Sequence, residues 1–153
     1  MRIPVMLSIC GRQNYIDQEP EVVELVTEGT LESKGNGWEI CYKESDLTGM
    51  DGVSTSFLVE SEKITLTRTG ALTSQMVFRE GVPHESLYNM GFGALLITVN
   101  ATKIQFSLSE SGGSVDLSYG ISIEQSAAGN IDYHLDFVIY YRHIFRIVRC
   151  RYE

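Results

Sequence analysis

A chain of 153 residues with 43% hydrophobic content suits one domain with its own core and leaves no room for a second. The net charge of −8 repels phosphate backbones and anionic lipid headgroups, which disfavours nucleic acid and membrane surfaces as general partners. The charge is uneven, since residues 140–153 carry +3 and residues 1–139 carry −11. We therefore predict a domain at 1–139 followed by a basic, aromatic tail at 140–153.

The amino terminus and the cysteines favour a cytoplasmic protein. The apolar stretch from Ile3 to Cys10 is interrupted by Pro4 and Ser8, which makes it too broken for a secretory signal. No apolar run approaches the roughly 20 residues that a membrane-spanning helix needs. The three cysteines are widely spaced and form no CxxC pair, a pattern that favours reduced thiols over zinc or dithiol chemistry. We expect no cofactor.

Apolar and polar residues alternate along most of the chain. From Val115 to Glu124 every odd position is apolar and every even position is polar or glycine, the period of a β-strand with one buried face. Between two of the predicted strands, Asn36-Gly37 predicts a hairpin, because both residues tolerate the positive φ of a type I′ turn. In chain order the pattern predicts strands, some joined across bulges, at 4–13, 21–32, 38–45, 53–61, 63–69, 74–79, 84–89, 94–100, 103–109, 114–125 and 131–139.

One phase of this alternation turns most of the large apolar side chains to the same face. No amphipathic helix is available to cover that face, and closing the sheet on itself would bury it and remove the edge strands. We therefore predict an all-β fold, a closed antiparallel up-and-down barrel of about 8–10 strands. A β-sandwich is the competing architecture, disfavoured because sandwiches usually need longer connections. The predicted inner face comprises Trp38, Ile40, Tyr42, Val53, Thr55, Phe57, Val59, Met76, Phe78, Ile104, Phe106, Leu108, Val115, Leu117, Tyr119, Ile121, Ile123, Ile131, Tyr133, Leu135, Phe137 and Ile139.

Several short motifs follow one another in a distinctive order and spacing. These motifs are Thr27-Glu28-Gly29, Tyr42 to Gly52, Thr67 to Gly70, Ser74 to Phe78, Gly81, His84, Tyr88 and Gly112-Gly113. In their order and spacing the chain resembles, over roughly residues 4–139, the YwiB-like family of small bacterial proteins. The resemblance implies a calycin-type, lipocalin-like β-barrel in a bacterial cytoplasm, and it implies no activity. The tail from Tyr140 departs from the family pattern.

Arg68 is the strongest candidate for a ligand-binding residue. It follows Ile64 and Leu66 at a spacing of two, so it projects from the apolar face. A guanidinium on that face must pair with an acid or meet an anionic ligand, because a buried unpaired charge is costly. Arg68 therefore either binds a carboxylate or phosphate at the floor or mouth of the barrel, or ends its strand and reaches solvent or an internal acid.

A second polar group lies on one short strand. His84, Ser86 and Tyr88 share a face, and if that face points inward it supplies a polar patch beside Arg68 and Ser74. If it points outward, it is ordinary surface. The other predicted ligand-binding residues come from the aromatic and apolar inner stripe: Met76, Phe78 and Tyr119. No catalytic residue is predicted. No nucleophile, and no acidic residue that could orient the imidazole, lies at a characteristic sequence spacing from His84.

Asp132, His134 and Asp136 also share one strand face, and two such positions could ligate a metal ion. They alternate with a strongly apolar run, so we expect them on a solvated outer face, and no metal site is predicted. The tail at 140–153 could form a helix or extend the last strand. It could pack on its own acidic barrel, on a second subunit, or on another partner.

Two functions fit these patterns better than a third, an enzyme that uses His84 and Arg68. The first is a non-enzymatic barrel that binds a small, apolar or amphiphilic ligand through an anionic group, with Arg68 and the aromatic inner stripe as its site. The alternative is a protein interaction or homodimerisation module whose barrel is a packed scaffold.

Overall fold

The computed structural model describes residues 2–45, 50–89 and 92–139. These ranges form ten β-strands and contain no helix. They therefore include no helix that could cross a membrane. The all-β prediction is confirmed. The strands are β1 (Arg2–Tyr15), β2 (Glu21–Lys34), β3 (Gly37–Lys43), β4 (Val53–Val59), β5 (Ile64–Gly70), β6 (Ser74–Phe78), β7 (His84–Asn89), β8 (Ala94–Ser109), β9 (Gly112–Ile123) and β10 (Ser126–Ile139).

All ten strands belong to one antiparallel sheet, in the order β6-β5-β4-β3-β2-β1-β10-β9-β8-β7. The pairing of β1 with β10 joins the first strand to the last, and the sheet curls until β6 approaches β7. Thr73 and Asn89 form an isolated bridge at this seam, and the Val77 N–H donates to Nδ1 of His84 at 3.3 Å. No continuous ladder of backbone hydrogen bonds joins β6 to β7, so the barrel is nearly but not fully closed.

The predicted division of β8 and the predicted turn between β2 and β3 differ from the structure. The pieces predicted at 94–100 and 103–109 are one strand, β8, with a register shift between Ala101 and Lys103, as expected for strands joined across a bulge. The predicted turn at Asn36-Gly37 is wrong by one residue. Gly37 pairs with Lys34, and Gly35 supplies the positive φ of +55°. Gly37 is needed for another reason, since a Cβ there would lie 2.5 Å from the carbonyl oxygen of Val59.

The core fills the middle of the barrel, and most of the predicted inner face contributes to it. Its largest fully buried side chains are Phe78, Phe137, Leu7, Leu31, Ile40, Ile64, Leu117 and Leu135. Phe106 pairs with the buried Val115 and so lies on the predicted face, but it is 37% exposed and stays outside the core. β7 pairs with residues 94–99 of β8, so Phe106 lies beyond the end of that ladder and has no strand beside it on that edge.

The cysteines are in two different states. Cys10 is buried and disulfide-bonded, so the expectation of reduced thiols is wrong at this position. Cys41 is a free, partly buried thiol on the outer side of β3. Burial raises the pKa of the Cys41 thiol, which lies 3.5 Å from the Glu39 carboxylate.

Candidate ligand site at one end of the barrel

A cavity of about 360 Å³ lies at one end of the barrel. Its volume falls in the range of roughly 300–1,000 Å³ that is typical of small-molecule sites. The carboxyl-terminal parts of β1, β3 and β5 and the start of β2 meet at this end, and β10 and β9 continue the wall beside β1. The cavity is lined by Ile9, Gly11, Gln13, Glu21, Val23, Leu25, Tyr42, Glu44, Met50, Arg68, Tyr119, Ile131 and Tyr133.

Arg68 supplies the positive charge of this cavity. It pairs with Thr55 on β4 and with Ser74 on β6, so the three side chains share the inner face. Arg68 is half-buried, its Nε is fully buried, and no described residue accepts a hydrogen bond from Nε or forms an ion pair with the guanidinium. A buried donor without an acceptor costs about 1–3 kcal/mol. Arg68 therefore brings unused donor capacity to the cavity wall.

Three tyrosines of the cavity wall keep their hydroxyl protons. Burial raises the pKa of Tyr119 to about 12. Burial also raises the pKa of Tyr42 and of Tyr133 far above the usual range, and the neighbouring Glu44 carboxylate raises both further. The Arg68 charge lowers the pKa of all three without cancelling the effect of burial. These hydroxyls are therefore hydrogen-bond donors across the physiological pH range.

The tyrosine rings form the floor between cavity and core. The Tyr119 ring packs against Phe78 with 4.6 Å between centroids, and the Tyr133 ring packs against Phe57 at 5.2 Å. The Tyr133 hydroxyl is buried and, although it lies near that of Tyr42, it has no hydrogen-bond partner of acceptable geometry among the described residues. Tyr133 is thus a second buried donor at the cavity, with the Tyr42 hydroxyl close by but not aligned as its acceptor.

Acidic side chains complete the electrostatics of the cavity. Glu44 is buried and accepts a hydrogen bond from Oγ1 of Thr55 at 3.1 Å. Glu21 lies at the exposed rim. The lining therefore carries one guanidinium and two carboxylates, besides its apolar residues and neutral tyrosines.

Comparison with known proteins places the chain in a family. Residues 7–135 match the family described as "Domain of unknown function (DUF1934)". The chain belongs to this family. It is 28% identical to the "Uncharacterized beta-barrel protein YwiB" of Bacillus subtilis (strain 168) over 107 residues, which are 70% of this chain and 74% of that protein. The crystal structure of the ywiB protein from Bacillus subtilis has the same fold, with a TM-score of 0.82, 22% identity, and coverage of 92% of this chain and 94% of that one.

These findings confirm the predicted YwiB-like membership and the predicted barrel. The likeness to calycins and lipocalins stays a prediction. The tail predicted at 140–153 lies outside the described residues, as do residues 46–49 of the Tyr42 to Gly52 motif.

The DUF1934 barrel brings some of the predicted ligand-binding residues together at the cavity. Arg68 and Tyr119 line it, and the Oγ of Ser74 lies beside Arg68, buried and without a partner among the described residues. Met76 and Phe78 lie deeper, in the packed core, and do not line the cavity.

The polar patch predicted on β7 points inward. His84, Ser86 and Tyr88 are half-buried, whereas Leu87 between them is 65% exposed. His84 is used structurally, since its Nδ1 accepts the Val77 N–H across the seam. Tyr88 packs against the core and lies within electrostatic reach of Tyr15, which itself feels the Arg68 charge.

Glu44 and Gly11 are cavity residues that the sequence reasoning did not single out. Glu44 follows Ile40 and Tyr42 at a spacing of two, so the rule that turned Arg68 inward would also have identified it. Gly11 continues the inward series of Leu7 and Ile9. A Cβ at Gly11 would make ordinary contacts of 3.8 Å to the Asp132 carbonyl oxygen and 4.0 Å to the Tyr133 ring, so this glycine leaves space in the cavity.

The outer face of the DUF1934 barrel carries a hydrogen-bonded cluster on β9 and β10. Nδ1 of His134 lies 2.7 Å from Asp116, and its Nε2 lies 2.7 Å from Asp136. The expectation of a solvated face is wrong at His134, which is 8% exposed, because carboxylates engage both ring nitrogens. Asp132 instead accepts a hydrogen bond from Ser118 at 2.7 Å. No group of three His, Cys, Asp or Glu within the described ranges could hold a metal ion.

A larger groove of about 670 Å³ crosses β1 to β4. Its lining includes Glu28, Cys41 and Lys43, which alternate with inward residues and face outward. None of the three buried unpartnered side-chain atoms found among the described residues belongs to this groove. The end cavity, with two of those atoms on lining residues, is therefore the better candidate site.

Proposed function

We propose that this DUF1934 protein is a non-enzymatic barrel that binds one small, largely apolar ligand through an anionic group. The observation that carries the proposal is the Arg68 guanidinium, whose buried Nε has no protein acceptor and whose side chain lines a cavity with an apolar and aromatic wall. An anionic oxygen at Arg68 would satisfy the donor and compensate the charge.

The described histidines support the non-enzymatic part of the proposal. Nδ1 of His84 accepts a backbone N–H, and both nitrogens of His134 contact carboxylates on the outer face. General acid or base catalysis by a histidine needs the imidazole within hydrogen-bond reach of the reacting proton. Neither histidine lines the cavity.

Binding can be tested with 8-anilinonaphthalene-1-sulfonate, a fluorescent probe with an aromatic body and one anionic group. We expect saturable binding to the folded protein at one site. Arg68→Gln should weaken it about 10- to 100-fold, because a hydrogen bond to a charged group contributes about 1.5–3 kcal/mol. Arg12→Gln is the matched control, since it removes the same charge from an exposed position on β1 and should leave affinity unchanged.

A second variant tests the place of binding without touching charge. Gly11→Leu should reduce probe affinity by filling the space beside Tyr133, whereas Gly11→Ala, with its Cβ in ordinary contact, should reduce it less. Thermal unfolding of each variant checks that the barrel is intact, because loosely packed states also bind this probe. Absence of saturable binding, or equal affinity in wild type, Arg68→Gln and Gly11→Leu, would overturn the proposal.

Exposed apolar side chains favour the second candidate function, an interaction or homodimerisation module. Val22 and Val26 are 38% and 44% exposed on β2, and Leu87 on β7 is 65% exposed. If the β2 surface that carries Val22 and Val26 joins two copies, the mass in solution should double with concentration, and Val26→Lys should return the protein to the monomer mass. A monomer at all concentrations would contradict homodimerisation.

A further inference from the structure

The charges around the end cavity restrict which anion it can hold. Arg68 is the one cation among the described lining residues, and the same lining carries the carboxylates of Glu44 and Glu21. These groups give the empty lining a formal charge of −1, so Arg68 can pair with one negative charge on a ligand, and no second cation of the described lining is available for another. A second negative charge would remain uncompensated close to the buried Glu44, and like charges in a partly buried site repel strongly.

The unused donors indicate how a single anionic group is received. The buried Nε–H of Arg68 and the buried hydroxyl of Tyr133 both lack acceptors among the described residues, and the two side chains are within electrostatic reach of one another. Donors at different positions suit an anion with more than one acceptor oxygen. Because Tyr133 stays neutral, its hydroxyl can donate a hydrogen bond and adds no negative charge of its own.

We infer that the ligand is a small-molecule monocarboxylate with an apolar body, held by Arg68 with Tyr133 as a second donor, and that the cavity discriminates against dianionic phosphate monoesters. This inference rests on the proposed function and specifies its ligand class. The apolar body would lie against Ile9, Leu25 and Ile131, which line the same cavity. The volume of about 360 Å³ suits a ring or a short chain.

Four probes with a phenyl body separate charge from shape: 3-phenylpropionate, its neutral amide, phenyl phosphate, and the methyl ester of phenyl phosphate. At about pH 8 phenyl phosphate is a dianion, because its second pKa is near 6, and its methyl ester is a monoanion. Binding to the 17.1 kDa protein can be followed by amide NMR, together with the Nε–Hε signal of Arg68, assigned by its loss in Arg68→Lys.

We expect 3-phenylpropionate to bind at least tenfold more tightly than its amide and than phenyl phosphate, and to shift the Arg68 Nε–Hε signal. The monoanionic methyl ester should bind more tightly than the dianion. Tyr133→Phe should weaken carboxylate binding severalfold, and Arg68→Gln should abolish the preference for carboxylate over amide. Arg12→Gln should change neither result, since Arg12 is exposed on the outer face.

Failure of this inference and failure of the proposed function give different results. Phenyl phosphate binding as tightly as 3-phenylpropionate, or an unshifted affinity in Tyr133→Phe, would overturn the inferred ligand class and leave an Arg68-dependent anion site. Amide and carboxylate binding equally in wild type would overturn both. If none of the four probes binds at millimolar concentration while the sulfonate probe still binds through Arg68, the carboxylate inference alone is wrong.

Discussion

The middle of the barrel and its cavity end are built from the same strands but differ in what they bury. The middle buries apolar side chains, whereas the cavity end also buries polar atoms that have no partner among the described residues. On β10, Leu135 and Phe137 are almost fully buried in a core of apolar side chains, whereas Tyr133, two residues earlier, lines the cavity and has a buried hydroxyl with no partner of acceptable geometry among the described residues. On β5, Ile64 and Leu66 lie in the core and Arg68 lines the cavity. On each of these strands, a core position that stabilises the fold and a cavity position that offers a hydrogen-bond donor are therefore only two residues apart.

The largest effect should come from the core side of this comparison. Phe137 is 2% exposed, and Phe137→Ala should lower the free energy of unfolding by about 3–5 kcal/mol through lost burial and a new cavity. Phe106→Ala is the matched control, because Phe106 is 37% exposed and its removal should cost much less. Urea unfolding at neutral pH measures both. Equal losses would mean that the core extends to Phe106 in solution.

Alkaline pH should reveal the cavity tyrosines. An unfolded tyrosine ionises with a pKa of about 10. The folded pKa of Tyr119 is raised to about 12, and those of Tyr15, Tyr42 and Tyr133 are also raised. The unfolded state therefore loses protons first, so stability is retained below about pH 10 and falls as pH rises toward 12 and beyond. At about pH 11.5, Tyr119 alone should lower the free energy of unfolding by about 2 kcal/mol.

Tyr119→Phe provides the check on this alkaline effect. The variant has no proton to lose at position 119, so its free energy of unfolding should fall less steeply than that of wild type over the same pH range. Urea unfolding at several pH values, with absorbance of ionised tyrosine recorded in parallel, measures both quantities. Identical pH dependence in the two proteins would show that Tyr119 ionises as an exposed residue does.

Much of this contrast could be predicted from the sequence, because alternation fixes which side of a strand a residue occupies. Arg68 was predicted on the inner face, and Glu44 obeys the same rule although the apolar pattern drew no attention to it. That Arg68 has no partner among the described residues could not be predicted, since Arg68 lies on β5 and Glu44 just after β3, and their separation depends on the tilt of the sheet. Likewise, the position of the β6 to β7 seam depends on how far the sheet curls.

Among the buried and half-buried polar side chains, His134 contrasts with Arg68, because each of its two ring nitrogens lies within hydrogen-bond distance of a carboxylate. His134→Ala should lower the free energy of unfolding by about 1–2 kcal/mol, because Asp116 and Asp136 lose a hydrogen-bonding group between them. His134→Gln should recover part of the loss by donating to one carboxylate. Thermal unfolding of wild type and of both variants at about pH 7 measures these differences in stability. A destabilisation of His134→Gln as large as that of His134→Ala would show that lost packing, and not hydrogen bonding, accounts for the effect.

Arg68 should show the smallest effect on stability and the largest on binding. Arg68→Met keeps most of the side-chain volume and removes a charge and a buried donor that no described residue satisfies, so the free energy of unfolding should be unchanged or rise by up to about 1 kcal/mol. Arg12→Met, at an exposed position, controls for the change in net charge. A structural arginine would instead behave like His134, with a clear loss of stability on substitution. Unchanged or increased stability of Arg68→Met, together with lost affinity for the sulfonate probe, is the result expected of a residue retained for a ligand, since functional sites commonly reduce stability.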